Sequence, residues 1–230
     1  MTARELQSSC SPPGRGDVAG SDGSDAVEAR LDEALEQTFP ASDPIAVSVH
    51  PAASLAVLTV GHSTRPIAEF VALLRAHGVT QLVDVRTVPR SRHNPQFNAD
   101  ALAATLAAAS IGYAHAPGLG GLRSTRPESA NGGWRNLSFR GYADHMQSAE
   151  FHDSLAGVIE LAQRDRVALM CAEAVPWRCH RSLIADALLV HGVAACEIVS
   201  AKRLQPHRLT PFAVVDGERI TYPPVDRGEG

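Results

Sequence analysis

Between residues 55 and 201 the chain alternates short apolar runs with longer segments in which apolar residues recur every three or four positions. A short continuous apolar run is typical of a buried strand, and the wider spacing is typical of an amphipathic helix. The pattern predicts strands at 55–62, 80–88, 113–116, 166–173 and 194–201. It predicts helices at 65–78, 98–112, 149–164 and 179–191.

The order of these elements predicts the fold class. Strands separated by helical segments of this length favour parallel pairing through right-handed crossovers. We therefore expect an α/β protein with an open, mostly parallel sheet and helices on both faces. The chain has 230 residues, which allows a single domain of this kind together with terminal segments.

The N-terminal segment differs in character from the rest. Residues 1–25 are rich in Ser, Gly, Pro and Asp, which predicts disorder, and residues 26–38 predict one short amphipathic helix before a linker at 39–53. Residues 1–50 carry nine acidic residues and three arginines, so their net charge is −6 and that of the remainder is +2. The predicted parts are an acidic tail at 1–53, an α/β domain at 54–215 and a C-terminal extension at 216–230.

Composition favours a cytoplasmic protein. No apolar run reaches the ~18–20 residues that span a bilayer. The N-terminus lacks the basic region and apolar stretch of a signal peptide. Four cysteines in a chain of this length do not resemble the disulfide framework of a small secreted protein. We expect reduced thiols and no membrane partner, and the sequence leaves the oligomeric state open.

Polar residues cluster where three of the predicted strands end. Ligands of open parallel sheets bind at the carboxyl ends of the strands, so we expect these clusters to form one crevice. The strand ends carry Gly61-His62-Ser63, Asp84-Val85-Arg86 and Cys171-Ala172-Glu173. The loop after the last of them ends in Arg178, and the predicted helix then opens with Cys179, His180 and Arg181. A helix N-terminus attracts anions, which favours a binding role for this turn.

Two predicted loops are rich in arginine. No acidic residue occurs between Asp84 and Asp100, a stretch that contains Arg90 and Arg92. The segment 117–140 carries four arginines against one glutamate, together with five glycines and a tryptophan. Arginine combined with an aromatic side chain suits a strand of nucleic acid, since charge binds the backbone and a ring stacks on a base. The alternative is an ordinary solvated loop.

The motifs TVGHST, LVDVRTVPRSRHNPQF, GLGGLR, GYADHM and LMCAEAVPWRCHRSLIADAL carry a family resemblance. In this order they resemble the signature blocks of a bacterial and archaeal family called domain of unknown function 488, over about residues 57–212. Some members of that family are described as DNA glycosylases that act on N6-methyladenine. The resemblance therefore implies an enzyme directed at nucleic acid, with DNA favoured as the partner.

The crevice supplies candidates for such a reaction. Asp84 or Glu173 would stabilise an oxocarbenium-like sugar, and His62 or His180 would protonate the leaving base. Candidates for binding substrate or phosphate are Gly61, Ser63, Arg86, Arg90, Arg92, Gly120, Gly121, Arg123, Tyr142, Arg178 and Arg181. The alternative for Asp84 and Arg86 is a structural ion pair, because they are two residues apart on one strand. We expect no cofactor.

Two other function classes stay open. One is a module that binds a nucleotide or nucleic acid without chemistry. The other is a thiol-dependent enzyme that uses Cys171, with Cys179 nearby, because a helix N-terminus and arginine lower a thiol pKa. Zinc bound by Cys171, Cys179, His180 and one carboxylate is a further alternative, but most zinc sites have a tighter cysteine spacing, so we expect no metal. The cysteines are otherwise packed thiols that shape the turn.

Overall fold

The computed structural model describes residues 55–224, and the predicted acidic tail at 1–53 lies outside this range. Its strands are β1 Ala56–Gly61, β2 Gln81–Asp84, β3 Gly112–His115, β4 Val167–Cys171, β5 Ala194–Ser200, β6 Arg203–Pro206, β7 Val214–Asp216 and β8 Arg219–Thr221. Its helices are α1 Ile67–Ala76, α2 Ala99–Ala108, α3 Leu137–His145, α4 Ala149–Ala162 and α5 Arg181–Val190. Short 3-10 helices occur at Pro95–Phe97, Pro117–Leu119 and Pro176–Arg178.

Six strands form one sheet in the order β3-β2-β4-β1-β5-β6. The first five are parallel, and β6 pairs with β5 in the antiparallel sense. The central strand β4, with the sequence VALMC, is buried at every position. A strand covered on both faces is expected to be continuously apolar, as this one is. The predicted α/β class with a mostly parallel sheet is confirmed.

The alternation of side chains along the strands creates a core on each face of the sheet. In β4, Val167 and Leu169 join one core, and Ala168 and Met170 join the other. The first core also contains buried residues of α3, α4 and α5, and the second contains those of α1 and α2. Helices therefore cover both faces of the sheet.

Some predicted boundaries differ from those observed. Strand β2 ends at Asp84 rather than at residue 88, because the Arg86 backbone amide donates to Asp84 Oδ1 instead of to a neighbouring strand. The predicted loop 117–140 ends early, since α3 begins at Leu137 after Asn136 accepts a hydrogen bond from the Ser138 amide. No helix between residues 55 and 224 is long and apolar enough to cross a membrane.

The short strands β7 and β8 form a hairpin that the sequence pattern did not predict. The predicted domain boundary between residues 215 and 216 falls inside this hairpin. Ile220 and Tyr222 are buried in the core, and the Tyr222 hydroxyl donates to Asp186 Oδ2 at 2.8 Å. The α/β domain therefore continues at least to Tyr222.

Candidate functional site

The carboxyl ends of β2, β4 and β1 lie side by side, because these strands are neighbours in the sheet. Gly61 pairs with Cys171, and Asp84 pairs with Met170. Beyond the strand end, the His62 amide donates to the Cys171 carbonyl at 3.0 Å, so the ladder continues into the turn. The three polar clusters singled out in the sequence thus meet at one edge of the sheet.

Asp84 and Arg86 form a buried ion pair at this edge. Arg86 Nε donates to Asp84 Oδ1 at 2.8 Å, and Arg86 Nη2 donates to Oδ2 at 2.5 Å. The Tyr113 hydroxyl also donates to Oδ2, at 2.9 Å, and Arg86 Nη2 reaches the Phe97 carbonyl at 2.7 Å. Both charges are satisfied inside the protein, which is the arrangement of a structural ion pair.

His62 is buried and held between the same groups. Its ring stacks on Phe97 with centroids 4.1 Å apart. Arg86 Nη1 donates to His62 Nε2 at 3.4 Å, so Nδ1 carries the proton and donates to the Ser63 carbonyl at 2.8 Å. Burial lowers the pKa of His62 from 6.5 to about 4, and the positive charge of Arg86 adds to this. His62 is therefore neutral at pH 7, and its one ring proton is donated to the Ser63 carbonyl, which disfavours a role as the acid that protonates a leaving base.

Arg181, at the start of α5, is fully buried. Its Nη1 donates to both carboxylate oxygens of Glu197 at 3.2 Å, and its Nη2 donates to the Glu173 carbonyl at 2.7 Å. The Thr59 hydroxyl donates to the same carboxylate of Glu197. The sequence analysis did not select Glu197. A glutamate within the apolar strand β5 could have indicated a buried ion pair. The arginine predicted to bind phosphate thus fixes the turn between β4 and α5.

The predicted glycines bring backbones close together. A Cβ atom on Gly61 would lie 2.1 Å from the Glu173 carbonyl oxygen, so only glycine allows this approach. A Cβ on Gly120 would lie 2.7 Å from Thr87 Oγ1. A Cβ on Gly121 would lie 3.0 Å from His180 Nδ1, so the absence of a side chain lets this loop pack closely against the histidine.

The GLGGLR segment is held by several side chains. Arg123 Nε donates to the Gly120 carbonyl at 3.1 Å, and its guanidinium pairs with Glu150 at 3.2 Å. The buried Tyr142 hydroxyl donates to the Leu119 carbonyl at 2.8 Å. These contacts show Arg123 and Tyr142 building the loop, although both were predicted to bind substrate. Sequence reasoning did not single out Glu150.

Cys171, Cys179 and His180 lie together beneath this loop, and we call them the cysteine centre. Both cysteines are buried free thiols. Cys171 Sγ, Cys179 Sγ and one ring nitrogen of His180 all lie within 4.8 Å of one another, and Cys179 Sγ is 3.7 Å from His180 Nδ1. His180 Nε2 donates to the Val85 carbonyl at 3.0 Å, so the lone pair of Nδ1 in the neutral ring faces the sulfurs.

The two thiols of this centre are electrostatically unequal. The hydrogen bond from Cys171 lowers the pKa of the Cys179 thiol well below its usual range, and the positive charge of Arg181 acts in the same direction, while burial opposes both. The same hydrogen bond, together with burial, raises the pKa of Cys171. Of the two thiols, the one better placed to ionise is therefore Cys179 rather than the predicted Cys171.

Several predicted residues remain accessible to a ligand. Glu173 is exposed, and its carboxylate has one long contact, in which the Val175 amide donates to Oε1 at 3.5 Å. Ser63 is partly exposed and adopts a positive φ of 49°. The remaining exposed candidates are Arg90, Arg92 and Arg178. None of these three arginines has an ion-pair partner among residues 55–224.

Large apolar side chains are exposed on the loops that follow β2, β3 and β4, which we call the edge loops (residues 85–94, 116–136 and 172–180). Val88 is 61% exposed, Leu122 is 88% exposed and Trp177 is 73% exposed. Each edge loop contributes one of these side chains, and two of the three loops also carry the exposed arginines described above. Sequence reasoning did not select these three residues, although large apolar residues within predicted loops were the available signal.

Comparison with known proteins identifies one match. A family model described as "Domain of unknown function DUF488" matches residues 66–188, which is more than half of the chain. The matched region includes the edge loops and the cysteine centre, but not His62 or Glu197. No curated protein and no solved structure matches the chain.

Proposed function

This chain belongs to the DUF488 family, and we propose that it is an enzyme that acts on nucleic acid bound across the edge loops. The observation that carries the proposal is the combination of exposed arginines and exposed apolar side chains on these loops. Neither set has another evident role, because the core and the ion pairs of the domain are built from other residues.

Unpaired arginines would supply the electrostatic part of binding. Arg90, Arg92 and Arg178 lie exposed on two neighbouring edge loops, and no carboxylate of the described residues neutralises them. A guanidinium binds a phosphate through two parallel hydrogen bonds. Two arginines on one loop and a third on the next would therefore contact successive phosphates of one strand.

The exposed apolar side chains would bind the bases. Trp177 offers an indole face, and stacking of a base on an aromatic ring is tolerant of sequence. Leu122 and Val88 are of the kind that proteins insert between base steps to unstack them. Unstacking is the step that a base-modifying enzyme needs, because the target atom is inaccessible inside a duplex.

The reaction that we propose is hydrolysis of an N-glycosidic bond, with N6-methyladenine as the base that the family resemblance implies. The bond between C1′ and the base breaks, a water oxygen bonds to C1′, and a proton is transferred to the departing base. A carboxylate stabilises the oxocarbenium-like sugar and orients the water. Glu173 is assigned this role because it is exposed next to Trp177 and Arg178, whereas Asp84 is enclosed by its partners.

The proposal includes action in the cytoplasm, because an enzyme of this kind has to reach cellular DNA.

Release of the base tests the proposal. Duplex and single-stranded DNA with and without N6-methyladenine would be incubated with the full chain, and abasic sites counted after alkaline cleavage. We expect abasic sites only in methylated DNA. DNA binding without base release would identify a binding module, and the absence of binding would overturn the whole proposal. Base release that thiol alkylation abolishes would assign the chemistry to the cysteine centre instead of Glu173.

A further inference from the structure

We propose that the cysteine centre is a binding site for a divalent, thiophilic cation, Zn²⁺ in the first place. Two buried sulfurs and an imidazole nitrogen converge there within 4.8 Å of one another. Thiolate and imidazole are the ligands that zinc takes most often in proteins. The inference does not depend on the proposed action on nucleic acid.

The spacing of the donors fits one ion. With Zn–S of about 2.3 Å and Zn–N of about 2.0 Å, tetrahedral geometry places a ligating sulfur and nitrogen roughly 3.6 Å apart. The observed distance from Cys179 Sγ to His180 Nδ1 is 3.7 Å. The third donor, Cys171 Sγ, lies within 4.8 Å of both other donor atoms. The three atoms are therefore placed to surround a common centre.

The surroundings of the donors are those of a ligand set. His180 Nε2 donates to the Val85 carbonyl, which fixes the tautomer in which Nδ1 can coordinate. This second hydrogen bond is the usual companion of a metal-ligating histidine. The guanidinium of Arg181 near these donors forms a salt bridge with Glu197 at 3.2 Å, and the opposite charge of Glu197 reduces the repulsion between Arg181 and a bound cation.

The described residues supply three donors. No other Cys, His, Asp or Glu of residues 55–224 joins this group, so a tetrahedral ion would take its fourth ligand from outside it. Gly121 lies against the ring of the third donor, because a Cβ atom there would lie 3.0 Å from His180 Nδ1. Three protein ligands with an open position are typical of zinc sites that bind water or substrate, rather than of closed structural sites.

The sequence alone argued against a metal, because seven residues separate Cys171 from Cys179. Cys171 is the last residue of β4, whereas Cys179 lies two residues before the first residue of α5. The 3-10 helix at Pro176–Arg178 folds the intervening loop back on itself. The fold therefore brings together donors that the chain spacing keeps apart.

Cobalt substitution tests the site without reference to activity. The full chain, purified without a metal-affinity step and stripped with a chelator, would be titrated with Co²⁺. We expect one Co²⁺ per chain, with the sulfur-to-cobalt charge-transfer absorption of thiolate ligands and the visible bands of tetrahedral cobalt. One equivalent of Zn²⁺ should remove both. Cys179→Ser and His180→Ala should weaken binding at least tenfold, whereas His93→Ala, which removes an exposed histidine, should not.

A variant that fails to fold would not decide the matter, so the zinc-loaded wild-type protein provides a second measurement. X-ray absorption at the zinc edge should show two sulfur neighbours and at least one nitrogen. Zinc surrounded only by nitrogen and oxygen, or no charge-transfer absorption on addition of Co²⁺, would overturn the proposal. An unchanged cobalt spectrum in folded Cys171→Ser and Cys179→Ser proteins would do the same.

Discussion

The guanidinium of Arg86 forms a salt bridge with the carboxylate of Asp84 at the end of β2, and both side chains are buried. The same guanidinium holds the Phe97 carbonyl and donates to His62. The pair thus fixes the loop after β2 and the turn after β1. Asp84 is enclosed by these partners, so of the two predicted catalytic carboxylates Glu173 is the exposed one. A catalytic role for Asp84 stays a prediction, and the geometry disfavours it.

Asp84→Asn is expected to act on stability. Removing the negative charge leaves Arg86 buried without its counter-charge, and breaking such a pair costs about 3–5 kcal/mol. Urea denaturation should show this loss in the free energy of unfolding. Asp153→Asn, which changes an exposed aspartate on α4, should stay within about 0.5 kcal/mol of the wild type. Equal stability of the two variants would contradict a structural role for the pair.

Glu173→Gln is expected to act on chemistry and not on stability. The Glu173 carboxylate is exposed and has one long contact, so its replacement removes little folding energy. If it stabilises the sugar cation, base release should fall on the order of 10²-fold or more. Rates of abasic-site formation under single-turnover conditions measure this effect. Glu69→Gln, which changes an exposed glutamate on α1, is the control and should retain full activity. Equal activity of the two variants would show that Glu173 has no catalytic role.

Arg90→Ala combined with Arg92→Ala should reduce the salt dependence of DNA binding. Each arginine that contacts a phosphate releases about one counterion, so the slope of log K against log salt should flatten by roughly two units. Fluorescence anisotropy with labelled DNA across a salt series measures the slope. The matched control removes Arg75 and Arg164, exposed arginines at the opposite edge of the sheet, and should leave the slope unchanged. Equal slopes for the two double variants would show that Arg90 and Arg92 do not contact the DNA phosphates.

Trp177→Ala should weaken binding of single-stranded DNA without changing that slope. Stacking of a base on an exposed ring contributes about 1–3 kcal/mol, which is roughly five- to hundredfold in affinity. The chain has two tryptophans, so quenching of fluorescence by DNA in Trp134→Phe protein would report on Trp177. Trp177→Phe keeps a ring and should lose much less affinity than Trp177→Ala. Unquenched fluorescence at saturating DNA would show that Trp177 lies outside the interface.

The sequence predicted the sheet and the meeting of three polar strand ends, because both follow from local hydrophobic pattern and from the geometry of parallel sheets. It did not predict which polar side chains form their hydrogen bonds and ion pairs within the protein and are therefore not available to a ligand. Arg181 appeared to be a phosphate ligand, but its partner Glu197 lies sixteen residues away on another element. Such pairings depend on tertiary contacts, as does the convergence of Cys171 with Cys179, and neither leaves a periodic signal in the chain.

The depressed pKa of His62 predicts a loss of stability in mild acid. In the folded chain this pKa is about 4, against an ordinary value of 6.5 in the unfolded chain. Between these values the unfolded chain binds a proton that the folded chain does not, and this proton lowers the free energy of unfolding. The loss is absent above pH 6.5 and grows as pH falls toward 4. Near pH 4 the loss in the free energy of unfolding reaches about 3 kcal/mol, because each unit of pKa difference corresponds to 1.36 kcal/mol.

His62→Asn removes this titration and keeps a donor near the Ser63 carbonyl, which His62 Nδ1 contacts at 2.8 Å. The variant should therefore lose less stability than the wild type between pH 7 and pH 4, and the difference should develop inside that window. Urea denaturation at half-unit steps of pH measures the two curves. His93→Asn, which changes an exposed histidine, controls for the loss of an imidazole as such. If the wild-type and His62→Asn curves stay parallel from pH 7 to pH 4, His62 takes up its proton in the folded state, and it regains the capacity to donate a proton to a leaving base.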